Sequence, residues 1–452
     1  MNVKNRVHAE TSLSAGAAIG DITPPLEVGL LMSSVEGRWQ PYNDVRKPLL
    51  ARVVVLDGRS PGNIAQRVAI VALDLLTLSG KALGGFDEFK SRIAAAANHA
   101  VGPDEIVLAC THSHTAPESG AITDLYRREA FVAWIDNLVA QIGSAIGAAT
   151  AALQPCQFAY GSSQAPGLGI HRRFKTTGGI MMSHPEPPAD IVLSRDGAVD
   201  NSVNVATFRD PDGHLIAVVV NATCHPVYEM CIPSVSPDYP GELTTLLDES
   251  CRGAVSLFLN GAAGNINPTS VSSGHRQSQR HAAKLAEFVQ LAINSATPEP
   301  SPHLQLRRHA FTLATRLPRG EDIGVTLNAE IVGLRLGSAA LMFLPGEPFA
   351  ETGLAVRQAS LFEFTAVVGF AEESIGYVPT DEAFDEGGYE ADFGSWSLLA
   401  RGSERQLRRE AIALLENLMV GDEEISPVNA LPRPHAFGGV ADESAVRSAG
   451  KG

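Results

Sequence analysis

Short apolar runs alternate with longer segments of helical periodicity along the first third of the chain. The runs at 51–57, 68–74 and 106–110 are rich in Val, Leu and Ile and have the length of buried strands. An alanine-rich segment over 86–99 predicts a helix between the last two strands, and a second helical pattern covers 131–153. Alternation of strands and helices favours helices packed on a sheet.

The middle of the chain adds a predicted hairpin. Apolar strands at 203–208 and 215–221 flank Asp210-Pro211-Asp212-Gly213, a turn sequence typical of antiparallel pairs. Further strands are predicted at 255–259, 330–336, 339–344 and 365–370, and further helices over 279–296, from 349, and over 396–419. The predicted fold class is therefore α/β, with a mixed β-sheet core flanked by helices.

One domain is expected over residues 1–426. The 452-residue chain has no internal repeat of fixed period, and the proline-rich stretch 297–302 is only a weak candidate for a domain boundary. Residues 427–452 are rich in proline, glycine and small side chains, which predicts an irregular C-terminal tail.

Composition places the chain among globular proteins. Hydrophobic residues make up 44% and charged residues 19%, which is enough for a large core. The formal net charge of −15 repels nucleic acid phosphates and anionic lipid headgroups. We therefore expect a small-molecule substrate, no nucleic acid partner and no stable association with membranes, and leave homo-oligomer formation open.

The N-terminal segment and the cysteines bear on the cellular compartment of the protein. The first 14 residues lack the apolar stretch of a signal peptide, and no window reaches the ~18 apolar residues of a membrane span. The five cysteines are odd in number and show no CxxC spacing. They are interpreted as buried thiols in a reducing compartment, and the expected location is the cytoplasm.

A pattern typical of reactive sites occurs where the 106–110 strand ends. The run Ala109-Cys110-Thr111-His112-Ser113-His114-Thr115 places two imidazoles two residues apart, and extended backbone would point both to one side. A strand end that opens into a loop suits a metal or catalytic site, which needs imidazoles held rigidly. The alternative is a pair of turn histidines that hydrogen-bond backbone carbonyls.

Two other strand ends carry groups of the same kind. His225 follows the 215–221 strand, and Glu347 lies in Pro345-Gly346-Glu347-Pro348 at a strand-to-helix junction. Each alone has an ordinary explanation, a structural histidine or a solvated helix start. Together with His112 they make a His₂Glu set, the ligand chemistry of a hydrolytic zinc site, and three such strand ends fit a site at one edge of a sheet.

A glycine-rich loop and two tyrosines complete the set. The loop Asn260-Gly261-Ala262-Ala263-Gly264-Asn265-Ile266-Asn267-Pro268 follows another strand, and its glycines permit positive φ, which lets backbone N–H groups face a ligand. A tight turn without a ligand explains the loop equally well. Tyr377 and Tyr389 lie near glycines and could act as acids, as donors to an oxyanion, or as interface rings.

Six motifs in one order resemble the catalytic domain of the neutral/alkaline, non-lysosomal ceramidases. They are Gly-Ala-Ala-Ile-Gly-Asp-Ile-Thr-Pro-Pro at 16–25, Thr-His-Ser-His at 111–114, Cys-His-Pro at 224–226, Ala-Gly-Asn-Ile-Asn-Pro at 263–268, Pro-Gly-Glu at 345–347, and Tyr-Val-Pro-Thr with Tyr-Glu between 377 and 390. Such an order is hard to obtain by chance. The resemblance implies a single catalytic domain of the ceramidase type and a zinc amidase activity.

The resemblance also implies roles for the residues of these motifs. His112, His225, Glu347 and Tyr377 match the positions of the family's zinc ligands, and His114 matches the histidine that works beside the metal. Zn²⁺ in such a site lowers the pKa of bound water toward ~7 and polarises the scissile carbonyl. His114 would pass a proton to the leaving amine.

Further positions match groups around the substrate. Tyr389 and Arg172 match groups that hold the scissile carbonyl, and Gly264, Asn265 and Asn267 are the expected substrate-binding residues. Asn267 departs from the pattern, because ceramidases carry a serine there and an amide cannot act as a hydroxyl nucleophile. The chain is also expected to lack the C-terminal β-sandwich of full-length ceramidases.

We therefore predict a zinc-dependent hydrolase that cleaves an amide (N-acyl) bond of a small or polar substrate, with long-chain ceramide a poor one. Two alternatives stay open. One is a metal-dependent enzyme of the same fold that acts on a lactone, ester or sugar-derived substrate, and the other is a non-catalytic metal-binding relative.

Overall fold

Two β-sheets packed face to face form the centre of the structure, a computed structural model that describes residues 13–317 and 322–420. In order across the larger sheet, the nine strands are Leu304–Arg316, Asp322–Leu336, Ala339–Pro345, Phe364–Ala371, Ile106–Cys110, Ala65–Leu73, Leu50–Arg59, Ser14–Asp21 and Gln154–Pro155. In the smaller sheet, the five strands are Val255–Asn260, Leu215–Ala222, Ser202–Arg209, Gln157–Gln164 and Thr297–Pro298. Both sheets are mixed, because each combines parallel and antiparallel neighbours.

Helices cover the outer faces of both sheets. In chain order they are α1 Gly80–Leu83, α2 Phe86–Ala96, α3 Glu129–Ala151, α4 Asp238–Ser250, α5 His275–Asn294, α6 Ala350–Ala359, α7 Asp381–Glu386 and α8 Ser403–Val420. The helices α2 and α3 pack on the larger sheet, and α4 and α5 pack on the smaller one. The structure is thus a stack of four layers, helices, sheet, sheet and helices.

Shorter elements connect the layers. They are the pairs Leu30–Ser33 with Arg38–Gln40, Asp44–Val45 with Ser234–Val235, Gly169–His171 with Ile266–Pro268, and Glu347–Pro348 with Tyr377–Val378, the three strands Arg173–Thr176, Gly179–Met182 and Val192–Ser194, and the 3₁₀ turns Pro103–Glu105 and Leu125–Arg127. The pair of Glu347–Pro348 and Tyr377–Val378 is parallel and brings two predicted ligand positions side by side.

The apolar runs follow from burial on both faces of the larger sheet. Along the Leu50–Arg59 strand, Val53 and Val55 pack among the residues that contact the helices, whereas Val54 and Leu56 pack against the smaller sheet. Successive side chains of a strand point to opposite faces, so a strand covered on both sides is apolar at nearly every position. This layering explains the apolar run at 53–56, whereas the neighbouring Arg52 is a buried charged residue.

The predicted fold class is confirmed, with three corrections. The hairpin at 203–208 and 215–221 is antiparallel, as predicted, but it belongs to a second sheet. The helix predicted over 396–419 begins only at Ser403, because Trp396 stacks on Tyr389 and Gly402 has a φ of 90°. The strands at 14–21, 157–164 and 304–316 and the helix α4 were not predicted. The expected tail at 427–452 lies outside the described residues.

The helix α3 differs from the expectation that no segment has the length and apolarity of a membrane span. Among the described helices it is long and apolar enough to cross a membrane by length and composition, and half of its most apolar window is buried. Phe131, Trp134, Leu138 and Ile142 pack in the core beside the larger sheet. Its hydropathy is therefore accounted for by packing within the fold.

A single residue pair joins the two halves of the larger sheet. Ala371 pairs with Ala109, and the strands Phe364–Ala371 and Ile106–Cys110 both end at this point. Loops can therefore leave the larger sheet near its middle, beside the strand ends of the smaller sheet.

Candidate active site

The predicted ligands come from both sheets. His112 and Glu347 each follow a strand of the larger sheet, Ile106–Cys110 and Ala339–Pro345, whereas His225 follows a strand of the smaller sheet. The expectation of a site at one edge of one sheet is therefore wrong. The side chains meet at the junction of the two sheets.

The loop after the Ile106–Cys110 strand turns sharply at His112. Its φ is 70°, so the extended backbone expected for the pair of histidines is not formed there. Histidine enters this left-handed region more readily than branched residues do. The His112 ring stacks on Phe370 with centroids 4.0 Å apart, and Nδ1 lies 2.7 Å from the Leu76 carbonyl oxygen. These two contacts fix the orientation of the ring.

Three acceptor atoms converge at the centre of the site. Nε2 of His112 lies 3.2 Å from Nε2 of His225, and Oε2 of Glu347 lies 3.4 Å from each of them. Because the Leu76 and Ala263 carbonyl oxygens can only accept, Nδ1 of each histidine donates to them and Nε2 keeps its lone pair. Glu347 Oε2 is buried without a hydrogen-bond partner among the described residues.

This arrangement fits a divalent cation. Zinc with tetrahedral bonds of ~2.0–2.1 Å holds its ligand atoms about 3.3 Å apart. The spacings within the cluster, 3.2 and 3.4 Å, agree with that value. Hydrogen bonds from Nδ1 to backbone carbonyls are also the usual means of orienting metal-binding histidines.

Electrostatic interactions favour the protonation states that a ligand set needs. Burial, followed by the charge of Arg172, lowers the pKa of His225 to about 4. At neutral pH His225 is therefore neutral, as a histidine that binds a cation through Nε2 must be.

His114 borders the same cluster. Its Nε2 lies 3.3 Å from Nε2 of His112, and the ring nitrogens of His112, His114 and His225 all lie within 4.8 Å of one another. Burial, and then the two neighbouring histidines, lower the pKa of His114 well below its usual value. A neutral imidazole at this distance can serve as a further ligand or as a base beside the metal.

Arg172 connects the cluster to the segment that carries the tyrosines. Its Nη1 lies 3.2 Å from His225 Nε2, and its Nη2 donates to the Tyr377 hydroxyl at 2.9 Å. Its Nε donates to Glu390 at 2.6 Å, and the other oxygen of Glu390 accepts from Arg173 at 2.7 Å. Although burial would raise the pKa of Glu390, the two guanidinium groups lower it. The ionised carboxylate holds Arg172 against the site.

Tyr389 reaches the site from a separate loop. Its hydroxyl forms a hydrogen bond with the Ser34 hydroxyl, and its ring stacks on Trp396 with centroids 5.3 Å apart. Burial raises the pKa of Tyr389 to about 12, so the hydroxyl keeps its proton at neutral pH. The structure thus brings both predicted tyrosines and Arg172 to one place.

Three residues that support the site were not predicted from the sequence. Glu390 anchors Arg172, Ser34 bonds Tyr389, and Phe370 stacks on His112. Only Glu390 carried a signal, as an acidic residue directly after Tyr389 in the Tyr-Glu motif. Ser34 and Phe370 lie far from their partners in the sequence, and no local pattern marks them.

The glycine-rich loop packs against the segment that carries Glu347. Gly264 lies outside the left-handed region, contrary to expectation, and a Cβ there would be 2.4 Å from the Glu347 carbonyl oxygen. Close packing, rather than positive φ, explains this glycine. The Asn265 side chain accepts from the backbone N–H of Ala350 at 2.9 Å and donates to Glu351 at 2.8 Å. Gly264 and Asn265 are not among the residues that line the cavity, and their contact with substrate stays a prediction.

Asn267 does reach the cavity wall, but both ends of its amide are occupied. Its Oδ1 accepts from Arg172 Nη1 at 3.4 Å, and its Nδ2 donates to the Ser183 hydroxyl at 3.3 Å. The predicted substrate-binding residue therefore orients other polar groups of the wall.

A cavity of about 660 Å³ opens over the cluster. The polar residues discussed above form one part of its wall: His112, His114, Arg172, His225, Glu347, Tyr377 and Tyr389. Much of the remaining wall is apolar and includes Leu31, Met32, Met182, Val227, Met230 and Val271. This volume is typical of a pocket for a small organic ligand.

Two solved structures share this arrangement of layers. Neutral ceramidase from Pseudomonas aeruginosa has a TM-score of 0.70 and 18% identity, over 93% of this chain and 77% of that one. The chain has the neutral ceramidase fold. A ceramidase complexed with C2 has a TM-score of 0.69 and 17% identity, over 93% of this chain and 78% of that one.

Comparisons with protein-family models and with curated proteins found no match. The likeness to these two ceramidases is thus expressed in the fold. It is weak in the overall sequence, where identity is 17–18%.

Proposed function

We propose that the protein is a zinc-dependent hydrolase that cleaves an amide (N-acyl) bond of a small substrate. The convergence of three lone-pair atoms, from His112, His225 and Glu347, at the wall of a cavity carries the proposal. Such atoms repel one another unless a cation lies among them. The fold supports hydrolysis as the reaction, since both of the similar solved structures described above are ceramidases.

The residues that would hold the ion are His112, His225, Glu347 and Tyr377. Two imidazoles with oxygen donors suit zinc better than the harder magnesium or calcium ions. When bound, zinc supplies Lewis-acid polarisation of a carbonyl and activation of water. Tyr377 pairs with Glu347 in a short parallel strand pair, and its hydroxyl accepts from Arg172, whose guanidinium also contacts Nε2 of His225.

The remaining polar residues of the wall act on the substrate directly. Arg172 places a fixed positive charge beside the cluster and Tyr389 offers a protonated hydroxyl, so both can donate to the oxygen on which negative charge develops. His114 has a neutral imidazole 3.3 Å from His112 and can take up a proton and deliver it to the leaving amine.

The cavity limits the size and the polarity of the substrate. Much of its wall is apolar, which disfavours a strongly polar substrate, whereas its volume agrees with a small one. We infer an N-acyl amide of modest size with an apolar arm, which would lie against residues such as Met32, Met230 and Val271.

A substrate screen tests this function. Protein purified without added metal is incubated with N-acyl amides of graded chain length, and with esters and lactones of matched size. We expect release of a carboxylic acid and an amine, lost after treatment with a chelator and restored by Zn²⁺. Turnover confined to lactones or esters would favour the alternative reaction, and absence of turnover in the zinc-loaded protein would refute hydrolysis.

A further inference from the structure

His184 lines the same cavity as the catalytic cluster but takes no part in the proposed mechanism. It follows the Gly179–Met182 strand and is half-buried. Its Nδ1 lies 2.9 Å from the hydroxyl of Ser183. No hydrogen bond to its Nε2 from another described residue is seen, so that nitrogen is available to a ligand.

A chain of hydrogen bonds fixes which nitrogen of His184 carries the proton. Arg172 can only donate, so its contact at 3.4 Å identifies the Asn267 atom beside it as the carbonyl Oδ1. Nδ2 of Asn267 must then be the atom that donates to the Ser183 hydroxyl at 3.3 Å. The direction of each bond is thus set by the permanent charge at one end.

The hydroxyl of Ser183 continues the same donor-to-acceptor order toward His184. Ser183 is buried, with 1% of its surface exposed, so its proton must be used within the protein. His184 Nδ1 is the neighbouring acceptor at 2.9 Å. If Nδ1 accepts, the neutral ring carries its proton on Nε2. His184 therefore presents an Nε2–H donor.

We propose that His184 is a specificity-determining residue whose Nε2–H donates to an oxygen atom of the substrate other than the scissile carbonyl. Asn267 and Ser183 are its positioning residues. The inference rests on the proposed amide hydrolysis and adds a substrate feature, an oxygen acceptor such as a hydroxyl or keto group on one arm. A donor in a wall that also carries Met182 and Met230 has few competing partners, so it discriminates strongly.

This series of hydrogen bonds gives a physical reason for the asparagine at position 267. Where the similar ceramidase motif carries a serine, this protein has an amide that accepts from Arg172 and donates to Ser183 at the same time. The residue that departs from the motif is the one that connects the cluster to His184.

Matched substrate pairs test the proposal. Each pair consists of two N-acyl amides of equal length, one with a hydroxyl or keto oxygen and one with a methylene at that place, and pairs vary the acyl arm or the amine arm. With the oxygen on one of the two arms, we expect the wild-type protein to prefer the oxygenated member of the pair about 10- to 100-fold in kcat/KM. His184→Phe should reduce that ratio to about one, mainly through KM. His184→Gln, which keeps a donor, should restore part of the preference.

The control variant is His214→Ala. His214 is exposed next to the turn at 210–213 and should leave the ratio unchanged. If the wild-type protein hydrolyses both members of every pair equally, the role of His184 is refuted while the proposed function stands. If it hydrolyses none of the amides, the proposed function itself fails.

A spectroscopic measurement decides the tautomer independently of activity. Long-range ¹H–¹⁵N spectra of histidine-labelled protein should show His184 with its proton on Nε2 in the wild-type protein. In Asn267→Asp, which replaces the donor at this position by an acceptor, we expect the Nε2–H population to fall. Observation of the Nδ1–H form in the wild-type protein would overturn the proposal.

Discussion

At the scale of single residues, the site brings together atoms that would repel one another without a cation. Nε2 of His112, Nε2 of His225 and Oε2 of Glu347 lie within 3.4 Å of one another. The Nδ1 protons of both rings are already donated to carbonyl oxygens, so neither ring brings a proton to the interior of the cluster. The fold thus maintains a site that a bound ion would stabilise.

Removal of one ligand should therefore release the metal. Elemental analysis of wild-type protein purified without added metal should find about one equivalent of zinc, in line with one site of this kind. His225→Ala should lose most of it, because the cluster keeps only one of its two imidazoles at this spacing. The matched control, His275→Ala, removes an exposed histidine away from the cluster and should retain it. Full metal content in His225→Ala would exclude His225 as a ligand.

His114 should behave differently from the ligands. We predict that His114→Ala lowers kcat by about 10²–10⁴, the range for loss of a general acid or base, while zinc stays bound. The measurement pairs steady-state kinetics with elemental analysis of the same sample. If metal and activity disappear together, His114 is a ligand, which its distance of 3.3 Å from His112 also permits.

The identity of these residues could be predicted from the sequence, but their geometry could not. Histidines two positions apart at a strand end mark the chemistry. The φ of 70° at His112, however, depends on Phe370 and Leu76, which are distant in the chain. Gly264 shows the same limit, since its role is set by the Glu347 backbone that it touches.

At the scale of elements, a buried ion-pair network closes the junction within the larger sheet. Beyond the pair Ala371 and Ala109, the Glu372 carboxylate accepts from the backbone N–H of Leu108 at 2.9 Å. Its other oxygen lies 3.0 Å from Lys90 and 2.8 Å from Arg308. A side chain thus replaces the missing strand partner. Burial would raise the pKa of Glu372, but Arg308 and then Lys90 lower it to about 2.

Glu372→Gln should destabilise the protein at pH 7 by about 3 kcal/mol, because it leaves Lys90 buried without its carboxylate. The folded-state pKa of Glu372 is depressed, so its contribution to stability is present above pH ~4.5 and is lost as pH falls toward 2. Urea unfolding at a series of pH values should show a smaller loss of stability in this window for the variant.

The control for this series is Glu287→Gln, whose side chain is 63% exposed. It should follow the wild-type protein at all pH values. Equal stability of Glu372→Gln and wild-type protein at pH 7 would show that the junction does not depend on this carboxylate.

Elements with strong apolar patterns were predictable, and those with mixed patterns were not. The strands at 51–57 and 68–74 are buried on both faces and contain the apolar runs 53–56 and 68–73. The missed Leu304–Arg316 strand is largely half-buried or exposed and rich in arginine. The missed helix α4 carries a proline and a glycine in its first turn, which conceal its periodicity.

At the scale of the whole molecule, the site exists only because two sheets are packed together. No local pattern tells which strands share a sheet, so a single mixed sheet was the natural prediction. The ligand strands of the larger and the smaller sheet are far apart in the chain, and their meeting depends on long-range packing. The six ordered motifs indicated the fold where periodicity could not.

The size of the cavity leads to a prediction about ceramide. A volume of about 660 Å³ suits a small organic ligand better than an amide with two long hydrocarbon chains. We predict that long-chain ceramide in detergent micelles has a kcat/KM at least about tenfold below that of shorter N-acyl amides at matched concentration. If ceramide is the better substrate, the limit drawn from the cavity and from Asn267 is incorrect.

Anomalous diffraction at the zinc edge, from crystals of protein purified without added metal, would examine the proposed metal centre itself. The geometry predicts one strong peak enclosed by Nε2 of His112, Nε2 of His225 and Oε2 of Glu347, at about 2.0–2.2 Å from each. The Tyr377 hydroxyl should complete the ligand set. A fully occupied zinc peak elsewhere, or no anomalous peak at this position after soaking in Zn²⁺, would contradict a zinc-dependent hydrolase built on these residues.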